Sequence, residues 1–106
     1  MTSSQKNRNL LQSVENHKLA HAAAVVDYLN EGYAVETTGV GHDFRAFKNK
    51  NEGVLEEFVE VKSGNGQLTK VQKKTKQNLR SIGKIYTVYR VSEKRLDYLK
   101  DEKKKF

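Results

Sequence analysis

Residues 58–62 read Phe-Val-Glu-Val-Lys, and this short alternation constrains the fold more than any other segment. In an extended chain successive side chains point to opposite faces, so Val59 and Val61 share one face while Phe58, Glu60 and Lys62 share the other. Such a strand lays its valines on a core and holds a carboxylate and an ammonium side by side on the far face. The chain has 106 residues, room for one modest core, so a functional site must share the scaffold of that core instead of lying between two domains.

The remaining elements fall into order around this strand. Residues 1–9 are polar with almost nothing to bury, which predicts a flexible start. From about Leu10, the positions Leu11, Val14, Leu19, Ala22, Ala23, Val26 and Leu29 approximate a helical stripe, and Asn30 with Gly32 supplies a stop. Tyr33 to Thr38 has strand composition, Gly39-Val40-Gly41 is a break, and His42 to Phe47 reads as a second strand. The polar turn residues from Lys48 to Gly53 separate it from Val54 to Lys62, as in an antiparallel hairpin.

Gly64-Asn65-Gly66 ends the third strand. Thr69 is placed to cap a helix running to about Ser81, stopped by Gly83, and Lys84 to Val91 makes a fourth strand. Tyr86 and Tyr89 lie on its opposite faces. Ser92 is placed to cap a short helix to Leu99, ahead of a basic tail at residues 100–106. The expected class is α/β, a single domain over 10–99 with element order αβββαβ and a mixed central sheet flanked by helices.

Charge and missing residue types narrow the chemistry. Twenty Lys and Arg against 13 Asp and Glu give a net charge of +7, the electrostatic footprint of a protein that sits against phosphates. Cysteine is absent, which excludes disulfides, thiolate zinc sites and cysteine nucleophiles, and leaves any metal to oxygen or imidazole ligands. No apolar signal core or bilayer-length apolar run occurs, so the expected location is intracellular, in cytoplasm or nucleoid, or in host cytoplasm for a virus-encoded chain.

Hydrolysis of a phosphodiester needs a divalent cation to neutralise phosphate charge and activate water, with a further cation near the attacked oxygens. Glu60 and Lys62 match half of that demand. Magnesium wants at least one more anionic oxygen, and Asp43 at the start of the neighbouring strand can supply it if the hairpin register brings it beside Glu60. Lys70, Lys73, Lys74, Lys76 and Arg80 ring the second helix, and Arg45 lies on the second strand; these are candidate phosphate contacts. His17 and His21, four apart on a helix, raise a zinc alternative with His42, but no sequence feature brings His42 near them.

His42-Asp43, then Glu60-Val61-Lys62, then Leu68-Thr69-Lys70-Val71-Gln72 resembles the PD-(D/E)xK nuclease superfamily over roughly Glu15 to Val91. Within it, Glu60 to Gln72 is most similar to small archaeal or viral Holliday-junction-resolvase-like and VRR-NUC-like nucleases. The resemblance implies a restriction-endonuclease-like core and a magnesium-dependent endonuclease acting on DNA, with manganese as a substitute ion and roles in recombination and repair. It implies metal ligands at Asp43, Glu60 and the main-chain carbonyl of Val61, with Glu15 as a further one from the first helix. Lys62 would position or polarise the attacking water, and Gln72 would support the site. Branched DNA is the expected substrate, cut by a homodimer, since two symmetric cuts call for two sites. Two other readings stay open: a nuclease that nicks or trims duplex or flapped DNA, and a nucleic-acid-binding protein on this fold that does not cut. His42 stands where the family often has proline.

Overall fold

A computed structural model describes residues 3–37, 43–50 and 53–104, with side chains over 15–37, 43–49 and 53–102. The elements are α1 (Ser3–Asn30), β1 (Ala34–Thr37), β2 (Phe44–Lys50), β3 (Gly53–Ser63), α2 (Lys70–Ser81), β4 (Ile85–Val91) and α3 (Glu93–Lys104). The chain is α/β, with a four-stranded mixed sheet in the order β1-β2-β3-β4 flanked by helices. β1, β2 and β3 are antiparallel neighbours, and β4 joins β3 in parallel after the α2 crossover.

Several boundaries differ from those the sequence predicts. α1 begins at Ser3, not near Leu10, because residues 3–9 hold neither proline nor glycine to break a helix. α3 runs on through Lys100–Lys104 for the same reason, so the basic end is helical instead of a separate tail. β2 starts at Phe44 and reaches Lys50, whose pairing with Gly53 leaves only residues 51 and 52 between the two strands. The expected break at Gly39-Val40-Gly41, His42, and the side chains of Leu11 and Val14 lie outside the described residues.

Helix ends follow local chemistry. Gly32 (φ 90°) and Gly83 (φ 79°) take the left-handed conformation that other residues resist. At each, the glycine N–H and the next residue's N–H turn back onto the last helical carbonyls: Gly32 to Leu29 and Tyr33 to Tyr28, then Gly83 to Arg80 and Lys84 to Leu79. Ser92 caps α3, its Oγ accepting from the Arg95 N–H.

One face of the sheet carries the core. Phe44, Ala46, Val59, Val61 and Val91 pack with Ala20, Ala23, Ala24 and Tyr28 of α1 and Leu96 of α3. Alanine in α1 lets that helix lie close to the strands, and each fully buried Phe, Leu or Val contributes roughly 1.5–3 kcal/mol. A bidentate pair between Arg95 and Asp27, at 2.7 and 2.9 Å, ties α3 to α1, and the Tyr89 hydroxyl donates to the same carboxylate. Tyr28 and Thr87 hydroxyls donate to Glu57, giving this half-buried carboxylate polar partners beneath α1.

α2 covers the other face and buries none of its side chains. Among the described residues, no helix is long and apolar enough to cross a membrane.

Leu96 is 2% exposed and Val26 51%. Leu96→Ala is expected to cost about 2–5 kcal/mol, whereas Val26→Ala should stay within about 0.5 kcal/mol of the parent. Urea unfolding measures both; equal shifts would mean that α3 does not dock on α1.

Candidate active site

β2 and β3 pair with Phe44 opposite Val59. One step outward in that register, Asp43 stands beside Glu60. The Asp43 N–H donates to the Val59 carbonyl at 2.9 Å, extending the ladder, and its carboxylate Oδ2 accepts the Val61 N–H at 2.6 Å. Because the N–H and C=O of a strand residue point toward the same neighbour, the Val61 carbonyl is directed to the Asp43 side of β3 as well.

Glu60 is 3% exposed, and among the described residues it is the buried charged side chain. Burial pushes its carboxyl up to about 7, the negative charge of Asp43 adds to that, and Lys62 opposes it. The Lys62 Nζ lies 3.7 Å from Glu60 Oε1, on the same strand face. A buried carboxylate whose ionisation the charge of a neighbouring carboxylate opposes makes with it a donor pair suited to a hard divalent cation.

Gln72 is fixed from both ends. It sits at the third position of α2 in a capping box with Thr69: the Gln72 N–H donates to Thr69 Oγ1 at 3.2 Å, and Gln72 Oε1 accepts the Thr69 N–H at 2.9 Å. A main-chain N–H can only donate, so the carboxamide oxygen must face it, and the Nε2 end is left to meet Glu60 Oε1 at 2.6 Å. The cap that starts α2 therefore also orients a donor at the buried carboxylate.

The sequence-predicted residues divide into those that gather and those that do not. Asp43, Glu60, Val61, Lys62 and Gln72 come together. Glu15 is exposed on α1, and no group of three His, Asp or Glu side chains assembles among the described residues, so it does not join Asp43 and Glu60. On α1 it is His17 that faces Asp43, with Nε2 4.0 Å from Oδ1. Helical spacing accounts for this: His17 lies one turn ahead of His21, whose ring meets Phe44 edge-on beside Asp43, and Glu15 is rotated off that side. His17 and His21 rings stand 6.4 Å apart.

Arg45 is already committed. Its guanidinium meets Glu56 at 2.7 Å and stacks between Phe47 and Phe58, at 4.9 and 5.4 Å from the ring centroids. Lys70, Lys73 and Lys74 are exposed on α2, while Lys76 is half-buried.

Two neighbours of the site were not legible in the sequence. Tyr86, 3% exposed, pairs with Phe58 on the sheet face that carries Glu60, and is pushed up to about 12 by burial and then by Glu60 and Asp43. Arg90 donates to the Gly66 carbonyl at 2.6 Å and holds the glycine loop after β3. Both depend on the β3–β4 register, which no local signal specifies.

In the metal-free protein the folded state keeps a proton on Glu60 from its ordinary value of 4.5 up to about 7, while the unfolded chain has lost it. Stability therefore falls as pH rises through that window, by up to roughly 3 kcal/mol, and stays low above it. Glu60→Gln should flatten this fall in urea titrations from pH 5 to 8 in EDTA. A curve parallel to that of the parent would show that Glu60 ionises normally.

No protein-family model, curated protein or solved structure matches the chain, so a functional reading rests on the geometry of these residues.

Proposed function

We propose that the chain is a metal-dependent endonuclease of the PD-(D/E)xK type, with a restriction-endonuclease-like core, that hydrolyses DNA phosphodiester bonds. The observation that carries this reading is the register of β2 on β3, which sets Asp43 beside the buried Glu60 with Lys62 on the same face. Spacing along the chain does not require that coincidence.

Asp43, Glu60 and the Val61 carbonyl would hold the divalent ion, magnesium or manganese. Bound there, the ion supplies charge neutralisation at the phosphate and a water of lowered pKa. Lys62 stands two residues beyond Glu60, where its ammonium stabilises charge growing on the attacked phosphate oxygens and orients the incoming water. Gln72 keeps Glu60 Oε1 in place, so that the second carboxylate oxygen stays free for the ion. Lys70, Lys73 and Lys74 project from the exposed side of α2 and neutralise phosphates flanking the cut.

Branched DNA is the substrate that the Glu60 to Gln72 segment favours, and a homodimer would supply the two sites that paired cuts require. Nicking or trimming of duplex or flapped DNA uses the same residues, and a binding protein without cleavage is the remaining outcome.

Labelled four-way junctions and matched linear duplexes, incubated with magnesium, with manganese and with EDTA, separate these readings. Paired cuts at the junction that need the metal, and that drop roughly 100-fold or more in Asp43→Ala, Glu60→Ala and Lys62→Ala proteins, are expected. Absence of cleavage under either metal despite retained DNA binding would overturn the enzyme reading. For the α2 contacts, the combined Lys70→Ala, Lys73→Ala and Lys74→Ala protein should bind all sequences more weakly. Its slope of log affinity against log salt should be shallower by about two to three; an unchanged slope would remove α2 from the interface.

A further inference from the structure

We propose that the first half of α1 is a base-reading element, in which Gln5, Asn9 and Gln12 lie along the major groove of the duplex beside Asp43 and Glu60 and select A·T pairs there. The inference rests on the proposed function in one respect, that DNA lies against those carboxylates, and it adds sequence selectivity to an interface whose other contacts go to phosphates.

Placement comes first. α1 has 28 residues and is therefore about 42 Å long. Among the described side chains, its buried residues run from Ala20 to Tyr28. His21 meets the Phe44 ring edge-on and His17 faces Asp43, so the helix passes the candidate site at His17. The stretch from Ser3 to Asn16, about 21 Å of helix, runs on past that point. The molecule is correspondingly elongated, 54 × 35 × 20 Å, with a radius of gyration of 15.8 Å, where a compact chain of this length has about 13 Å.

The residue pattern on this stretch has one direction. At 3.6 residues per turn, four positions fall within an arc of about 60°, and each carries an amide: Gln5, Asn9, Gln12 and Asn16. The positions of Lys6 and Arg8 lie about 70–90° to either side of that line, whereas those of Leu10, Leu11 and Val14 fall on the far side of the helix. No acid occurs between Ser3 and Val14.

Such a face fits a DNA groove. A carboxamide offers a donor and an acceptor side by side, which pair with N7 and the N6 amino group of adenine. The major groove is about 12 Å wide and admits a helix. Gln5 to Gln12 spans about 10.5 Å, close to three base-pair steps of about 3.4 Å. Cations on both flanks of the amide line meet the phosphates that border the groove on its two sides. The lysines of α2 neutralise phosphates whatever the sequence; the amides of α1 distinguish bases.

Selection of bound duplexes from a pool with a randomised segment, using the intact protein in EDTA so that no strand is cut, tests this. The expected result is enrichment of A·T over about three adjacent base pairs. Gln5→Ala, Asn9→Ala and Gln12→Ala should each lower the preference at a single position roughly fivefold or more, with circular dichroism confirming the fold, and Asn7→Ala on the far side should change nothing. Lys6→Ala and Arg8→Ala should weaken every sequence alike and lower the salt slope by about one each. A parent that binds duplexes without enrichment, or enrichment that survives the combined Gln5→Ala, Asn9→Ala and Gln12→Ala substitution, overturns base reading alone. A parent that selects A·T-rich duplexes yet cuts none with magnesium or manganese supports base reading and overturns the nuclease reading. A parent that binds no duplex overturns both.

Discussion

Pairing of Phe44 with Val59 is the constraint on which the rest of the molecule depends. It puts two fully buried side chains under α1, and in the same step it places Asp43 next to Glu60 on the opposite side of the sheet. A slip by one residue would send Phe44 to the face under α2 and Asp43 into the core, so apolar burial and the candidate site are enforced together. The site needs no separate source of rigidity, because the register that the core demands is the one that brings the carboxylates side by side.

The energetic tension of the structure sits at Glu60. A carboxylate this buried, with another nearby, resists ionisation, and Lys62 offsets only part of that cost. Gln72 supplies a donor held by the capping box of α2, so the start of a helix and the orientation of a buried acid are one arrangement. α2 itself buries no side chain, which leaves most of its cations in water and its attachment to a few polar contacts, among them Gln72 to Glu60 and Arg80 to the Tyr86 carbonyl. The opposite face is held differently, by alanine-lined packing and the bidentate link between Asp27 and Arg95.

Much of this was legible in the chain. Alternation around Val59 and Val61 fixed a strand and its two faces, Gly32 and Gly83 marked helix ends, and Thr69 and Ser92 marked helix starts, because each of those signals acts through neighbours a few residues away. Helix limits at Ser3 and Lys104 were missed, since residues compatible with helix but carrying nothing to bury give no signal for where a helix fades. Thr69 was read as a cap and Gln72, separately, as a site glutamine. That one side chain serves both purposes required knowing that α2 lies over Glu60.

Sequence by itself determined which residue types are present for chemistry and on which face of its own strand or helix each one lies. Local periodicity suffices for that. Tertiary structure decided which faces meet. It brought His17 instead of Glu15 toward Asp43, gave Arg45 to Glu56, and buried Tyr86 on the sheet face that carries Glu60. Those outcomes depend on how far each strand slides along the next and how α1 is rotated on the sheet. Both are fixed by the fit of buried side chains such as Phe44, Ala20 and Ala24, whose contacts lie far apart in the chain and leave no trace in local spacing.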